Sequence, residues 1–395
     1  MSTRSGSCSP IDRCVGRRAR TACARRARRQ RCIAHRGVTG RVGMDLSIFA
    51  ILAQDGVTTG AIYVLLALAL VLVFSVTRAI FIPQGEFVSY AALTLAAIQT
   101  HKFPTVCWLL LVLGAGCFLV ECGSLLGDRP QRRAGLRRLT MAAVKNLLFP
   151  VLVFLLSRYA TGLSLPMLAQ IALALLIVIP LGPMLYRLAY QPLAEASTLL
   201  LLIVSVAVHF AMVGLGLLMF GAEGSRTTAF SDASYVVGGL SISGQSLYVI
   251  GSAVALIVVL YLYFDRTLNG KALRATSINR LGARLMGIST VQAGKLAFTL
   301  AAAIGALSGI LVAPLTTIYY DSGFLIGLKG FVGAIVGALA SYPVAAAGAL
   351  LVGLLESYSS FWASAYKEVI VFTLIIPVLL WRSLAAPRLD DDDEA

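Results

Sequence analysis

The sequence predicts an all-α protein that crosses a lipid bilayer about 8–10 times, since each crossing takes about 20 mainly apolar residues. Three observations carry this. Only 13% of the 395 residues are charged and 58% are hydrophobic, where a soluble domain is about a quarter charged. The mean hydropathy is +0.85, and apolar runs of about 18 residues or more recur along the chain. The 36 glycines fit too, because small residues let helices approach closely where water cannot drive packing.

The net charge of +15 does not point to nucleic acid, because most of it lies at one end. Residues 1–43 hold twelve arginines against one acid, Asp12. They lack the apolar core of a signal peptide. A transit peptide, a nucleic-acid-binding arm and sequence upstream of the true start all fit this basic, disordered tail. The last is preferred, because Met44 and Asp45 run directly into the first apolar segment. The mature chain is therefore expected to begin at Met44, with residues 44–385 forming the membrane domain. Residues 386–395 end in the acids Asp390 to Glu394 and read as a solvated, disordered tail. Cys8, Cys14, Cys23 and Cys32 have no zinc-site spacing. Cys107, Cys117 and Cys122 lie in an apolar run and read as packing residues.

The first apolar segment runs from Leu46 to Val76. Asp55, Gly56 and Gly60 make its early part an interfacial or irregular stretch. The second, Ile80 to Ile98, is interrupted by Pro83, Gln84, Gly85 and Glu86. The third is Val106 to Leu126, and a basic loop from Arg129 to Arg138 follows. The positive-inside rule puts that loop in the cytoplasm. Further segments cover Ala142 to Tyr159, Pro166 to Tyr186 and Ser197 to Phe220. Residues 221–245 are polar and long enough for an outer loop. Ser246 to Phe264 then leads into a second basic loop, residues 265–290, and Val291 to Ala313 follows. Gly327 to Glu356 is apolar but broken at Ser341, Tyr342 and Pro343. Each half has about 13 residues, too few to span upright, so a hairpin of two short helices buried in protein is expected. Tyr366 to Trp381 is the last span. Both basic loops lie on one side if four crossings separate them, and the same count puts the C-terminus in the cytoplasm.

No catalytic set is present. His35, His101 and His209 are scattered, and there is no phosphate-binding Gly-rich loop and no metal-ligand spacing. The loop at 270–288 is the most informative stretch. Ala272, Leu273, Ala275, Leu281, Leu285 and Met286 suggest a short amphipathic helix, with Lys271, Arg274, Arg280 and Arg284 on its polar side. Such a helix docks into a groove on a partner or lies on lipid headgroups.

This loop resembles the ATPase-coupling loop of the LivH-type branched-chain amino acid ABC transporter permeases. The shared pattern falls on Gly270, Ala272, Leu273, Arg274, Ala275, Ala283, Gly287 and Ile288, with Met286 inside it. Similarity continues through Asp55 to Tyr63, Gly85-Glu86, Arg187 to Leu193, Glu223 to Arg226, Gly330-Phe331, Gly337 and Tyr366 to Glu368. It covers most of residues 44–385. Two departures stand out. Ile80 to Glu86 differs from the family's usual Asn-Phe-Ala-His-Gly-Glu, and residues 102–160 look like an insertion with two extra apolar segments.

The resemblance implies a permease subunit of an ABC importer in the bacterial inner membrane, carrying branched-chain amino acids or related small amino acid, amide or carboxylate solutes. It implies a second homologous permease, two cytoplasmic ATPases that use the ATP, and a periplasmic substrate-binding protein. No enzyme activity, cofactor or nucleic-acid partner is expected for this chain itself. A stand-alone secondary transporter or channel is the alternative; it would need its own coupling-ion site, usually acids at mid-membrane. Here such acids are few and sit mostly at segment ends. Gln84, Gly85, Glu86 and Gly60 are the candidate translocation path, since broken helices expose backbone to solute. The opposing reading is that Glu86 caps the helix that follows. Glu356, Lys329 and Lys367 are expected near the outer surface, and Glu121 is expected to snorkel to the interface.

Overall fold

A computed structural model describes residues 46–385 apart from 128–139, 142, 164, 232 and 238–239. The basic tail, the Arg129–Arg138 loop and the acidic tail lie outside the described residues. By contacts the chain divides into Met1–Phe49 and Ala50–Ala395, and nearly all described residues fall in the second unit.

The structure is all-α apart from one short hairpin. Seven helices among the described residues are long and apolar enough to cross a membrane. They are α1 (Leu46–Thr77), α3 (Val106–Gly127), the run containing α5 (Met167–Val178) and α6 (Leu181–Leu185), α7 (Thr198–Phe220), α8 (Gly244–Arg266), α11 (Thr290–Val312) and α13 (Tyr342–Trp362). The expected 8–10 is reached by adding shorter helices, among them α2 (Gln84–Gln99), α4 (Phe149–Ala160) and the apolar α12 (Ser322–Val336).

Three expectations are corrected. The first segment is not irregular near Asp55, because α1 is continuous from Leu46 to Thr77. Its glycines serve packing instead: Gly56 and Gly60 lie against Leu354, Leu350 and Gly353 of α13. The region 327–356 breaks where the sequence places the break, but its arms are unequal. α12 has 15 residues and α13 has 21, enough for a crossing. The turn between them holds Ala338 and Leu339 at φ +53 and +56. The last span is divided at Leu374 into α14 (Lys367–Thr373) and α15 (Ile375–Ala385). Pro377 has no N–H to give to the Thr373 carbonyl, which accounts for the division.

Residues 78–83 are non-helical, and α2 begins at Gln84. Gln84 Nε2 donates to the carbonyl of Ala301, 2.9 Å away. At 1.5 Å per residue, Ala301 lies about 16 Å along α11, half its length. α2 is thus a shortened helix of 16 residues that starts near the middle of its neighbour. Two glycine contacts clamp it there. Gly309 of α11 lies on the Val88 backbone, and Gly85 meets Gly323 and Gly327 of α12. A Cβ at any of these positions would overlap backbone, so the close crossing requires glycine. The core is completed by Phe81, Phe87, Tyr190 and Phe298; Phe81 and Phe298 lie 4.6 Å apart between ring centroids.

Residues 221–245 carry the hairpin β1 (Ser234–Val237) and β2 (Leu240–Ser243). Ser225 pairs with Ile318 just before α12. The 265–290 loop folds as two short helices, α9 (Leu268–Ile278) and α10 (Arg280–Leu285), rather than one.

Candidate functional site

The start of α2 gathers buried polar side chains. Glu86 is fully buried in the first turn. Its Oε1 lies 3.1 Å from Nδ1 of His209 on α7. Neither Glu86 oxygen, nor Nδ1 of His209, nor Oε1 of Gln84 completes a hydrogen bond among the described residues. Unsatisfied buried groups are few in folded proteins, and each calls for an explanation. Glu86 stands in the first turn of α2, where its negative charge suits the helix N-terminus, although its carboxylate completes no hydrogen bond to the backbone there. It faces His209 instead, whose ring stacks on Phe324 of α12 at 4.5 Å. The site therefore joins α2, α7 and α12.

His209 is the residue the sequence reading passed over. An ionisable side chain inside the apolar α7 was the available signal. Gln84, Gly85 and Glu86 form the buried first turn of α2. Gly60 does not join them; it belongs to the crossing of α1 with α13, where its backbone meets Leu350 and Gly353.

A second polar group lies between α1, α12, α13 and α14. Lys329 is only 5% exposed. Its Nζ meets Glu356 Oε1 at 2.5 Å and Glu368 Oε1 at 3.2 Å. Tyr63 donates to Glu356 Oε2 at 2.5 Å. Glu356 lies six residues before the end of α13, about 9 Å from Trp362 at 1.5 Å per residue. A charge buried in the bundle needs a partner within it, and the three charged side chains supply one another. Lys367 remains half-exposed, 4.0 Å from Glu368. Glu121 does not simply reach for solvent. It binds Arg187 at 2.7 Å and accepts from Asn146 at 3.1 Å.

The α9–α10 pair has a fixed side and an open side. Thr267 caps α9 by accepting from Gly270 N–H, and Asn279 caps α10 by accepting from Gly282 N–H at 2.8 Å. Gly270 lies against the backbone of Tyr263 and Phe264. Leu273 is 1% exposed and packs with Leu72 and Val76 of α1 and Ala293 and Ala297 of α11. Ala283 is also buried, while Ala272, Ala275 and Ile288 are half-buried. Arg280 and Arg284 bond to Ala194 and Glu195. Gly287 has φ +81 and ends the pair with open space beside it. The open side is apolar as well as basic: Ile278, Leu281, Leu285 and Met286 are 68–82% exposed. Arg274 is exposed beside them. Apolar side chains left open next to cations mark a surface that something covers.

Among the described residues, no three His, Cys, Asp or Glu side chains group to hold a metal. Seven helices long and apolar enough to cross a membrane, with an anchored helix pair left uncovered beside them, mark a polytopic membrane protein. Residues 137–379 match the family model described as the permease component of the branched-chain amino acid transport system. The chain belongs to that family. The high-affinity branched-chain amino acid transport permease BraD of Pseudomonas aeruginosa is 28% identical over 228 residues, 56% of this chain and 74% of BraD. LivH of Escherichia coli K12 is 27% identical over 216 residues, 52% of this chain and 70% of LivH. No solved structure matches the chain. The family match includes His209, the α9–α10 pair and Lys329 with Glu356 and Glu368, and it begins after α2.

Proposed function

We propose that this chain is a transmembrane subunit of an ATP-driven importer of branched-chain amino acids or related small amino acid, amide or carboxylate solutes. Its partners are a second homologous permease, two cytoplasmic ATPases that bind and hydrolyse the ATP, and a periplasmic substrate-binding protein. It lies in the bacterial inner membrane with α9–α10 and the C-terminus in the cytoplasm.

The observation that carries this reading is the mounting of α9–α10. Leu273 ties the pair into the core of α1 and α11, so a push on its exposed edge is delivered to two long helices. Leu281, Leu285, Met286 and Arg274 form the edge an ATPase groove would hold. The start of α2 is the path. The open acceptors of Gln84 and Glu86 suit a solute ammonium group, and the N-terminal end of α2 suits its carboxylate. Nothing favours the secondary-transporter alternative, which the family assignment also disfavours.

The test is reconstitution of the full chain with its partner subunits. Arg274→Glu is expected to cut solute-stimulated ATP hydrolysis and uptake while membrane insertion stays normal. Glu86→Gln is expected to cut both while ATPase docking persists. Full transport by both variants, or uptake by this chain alone in liposomes, overturns the reading.

A further inference from the structure

Away from the path, a cavity of about 440 Å³ opens where α3 and α4 meet the core. Lys145, Arg187 and Lys295 line it together with Asn146. The two helices that supply Lys145 and Arg187 each depart from α-geometry at that point. Residues Val144–Leu148 and Tyr186–Tyr190 are π-helical turns, the departure most often kept at functional positions. The first is locked in place by Gly114 of α3, which lies on the Asn146 backbone.

The charges do not balance. Glu121 binds Arg187 and Asn146 and is thereby used. Arg187 Nε is buried with no acceptor among the described residues. Neither Lys145 nor Lys295 has an ion pair among them. An anion is the missing component. The remaining walls, including Val144, Phe149, Pro180 and Met184, are apolar. Next to the cavity-lining Phe149 runs an exposed apolar stripe, Leu148 at the end of the π-turn and Leu152 and Leu155 on α4. Lys295 lies one turn into α11, at the end of the bundle that carries α9–α10. Cations over apolar walls beside a lipid-facing stripe suit an amphiphile; a free anion makes no use of the stripe.

We propose that this cavity is a binding site for an anionic phospholipid, with its phosphodiester between Lys145 and Lys295 and an acyl chain along Leu148, Leu152 and Leu155. Basic pockets between helices near a membrane surface bind such headgroups. The lipid fills the seam between the α3–α4 hairpin and the core and satisfies its unpaired cations.

The experiment is native mass spectrometry of the full chain, delipidated in detergent and offered phosphatidylglycerol or phosphatidylcholine of the same acyl chains. Phosphatidylglycerol is expected to stay bound in preference. Lys145→Gln with Lys295→Gln is expected to weaken its retention roughly thirtyfold, from the contribution of two lysines near a headgroup. Lys145→Gln alone, at an exposed position where folding is not at stake, is expected to weaken it roughly fivefold. Lys102→Gln, also exposed, is the control that leaves retention unchanged. Equal retention of the two lipids, or no change in the lysine variants, overturns the proposal. So does displacement of the lipid by excess inorganic phosphate, which makes this a plain anion site.

Discussion

Lys329→Met is the most demanding test of the packing described here. Methionine keeps the stem and removes the ammonium, so Glu356 and Glu368 lose their shared cation. The two arms differ in worth. The Glu356 side chain is 15% exposed and the Glu368 side chain 38%. Removing one partner of a buried pair costs about 3–5 kcal/mol. A pair reaching water contributes about 0–1 kcal/mol. Lys329→Met should therefore cost about 3–5 kcal/mol through Glu356, and Glu368→Gln should cost under about 1 kcal/mol. Glu356→Gln still leaves an acceptor for Tyr63, so Lys329→Met with Glu356→Gln should recover much of the loss. The assay is equilibrium unfolding of the full chain in mixed detergent micelles, followed by exposure of the buried thiols Cys107 and Cys117. A Lys329→Met penalty no larger than that of Glu368→Gln would refute the reasoning. So would a double variant no more stable than the single one.

Two further outcomes follow from backbone geometry. Gly309→Ala puts a Cβ on the Val88 backbone and must push α2 from α11, at a cost of about 1–3 kcal/mol by overpacking. Thermal stability in detergent measures it, and an unchanged midpoint would mean that the two helices are not held this closely. Gly287→Ala meets no neighbour, so its cost is only the left-handed backbone, about 1–2 kcal/mol. It should lower ATPase coupling more than stability, which a parallel measurement of solute-stimulated ATP hydrolysis and thermal midpoint would decide.

Hydropathy placed nearly every long helix to within a few residues, because a helix in lipid must be apolar along its length whatever it packs against. The break at Pro83 was legible for the same local reason: Pro and Gly interrupt a helix wherever they stand. The capping of α9 by Thr267 and the turn at Gly287 were also written locally, in residue types that suit those backbone positions. The site at the start of α2 was half legible. Glu86 stood out as an acid beside the break, but nothing in one sequence shows that His209, more than a hundred residues on, faces it.

The sequence by itself determined a multispan α-helical membrane protein with an interrupted second segment and a basic loop at 265–290. These rest on composition and on the chemistry of single residues. Only the tertiary structure decided which charges meet. Lys329 with Glu356, Arg187 with Glu121, and Glu86 with His209 are each pairs drawn from different helices. Their partnership depends on the rotation and depth of those helices, which glycine crossings set. It also decided that Leu281, Leu285 and Met286 face outward, because amphipathic spacing gives a helix two faces and only its neighbours determine which is buried.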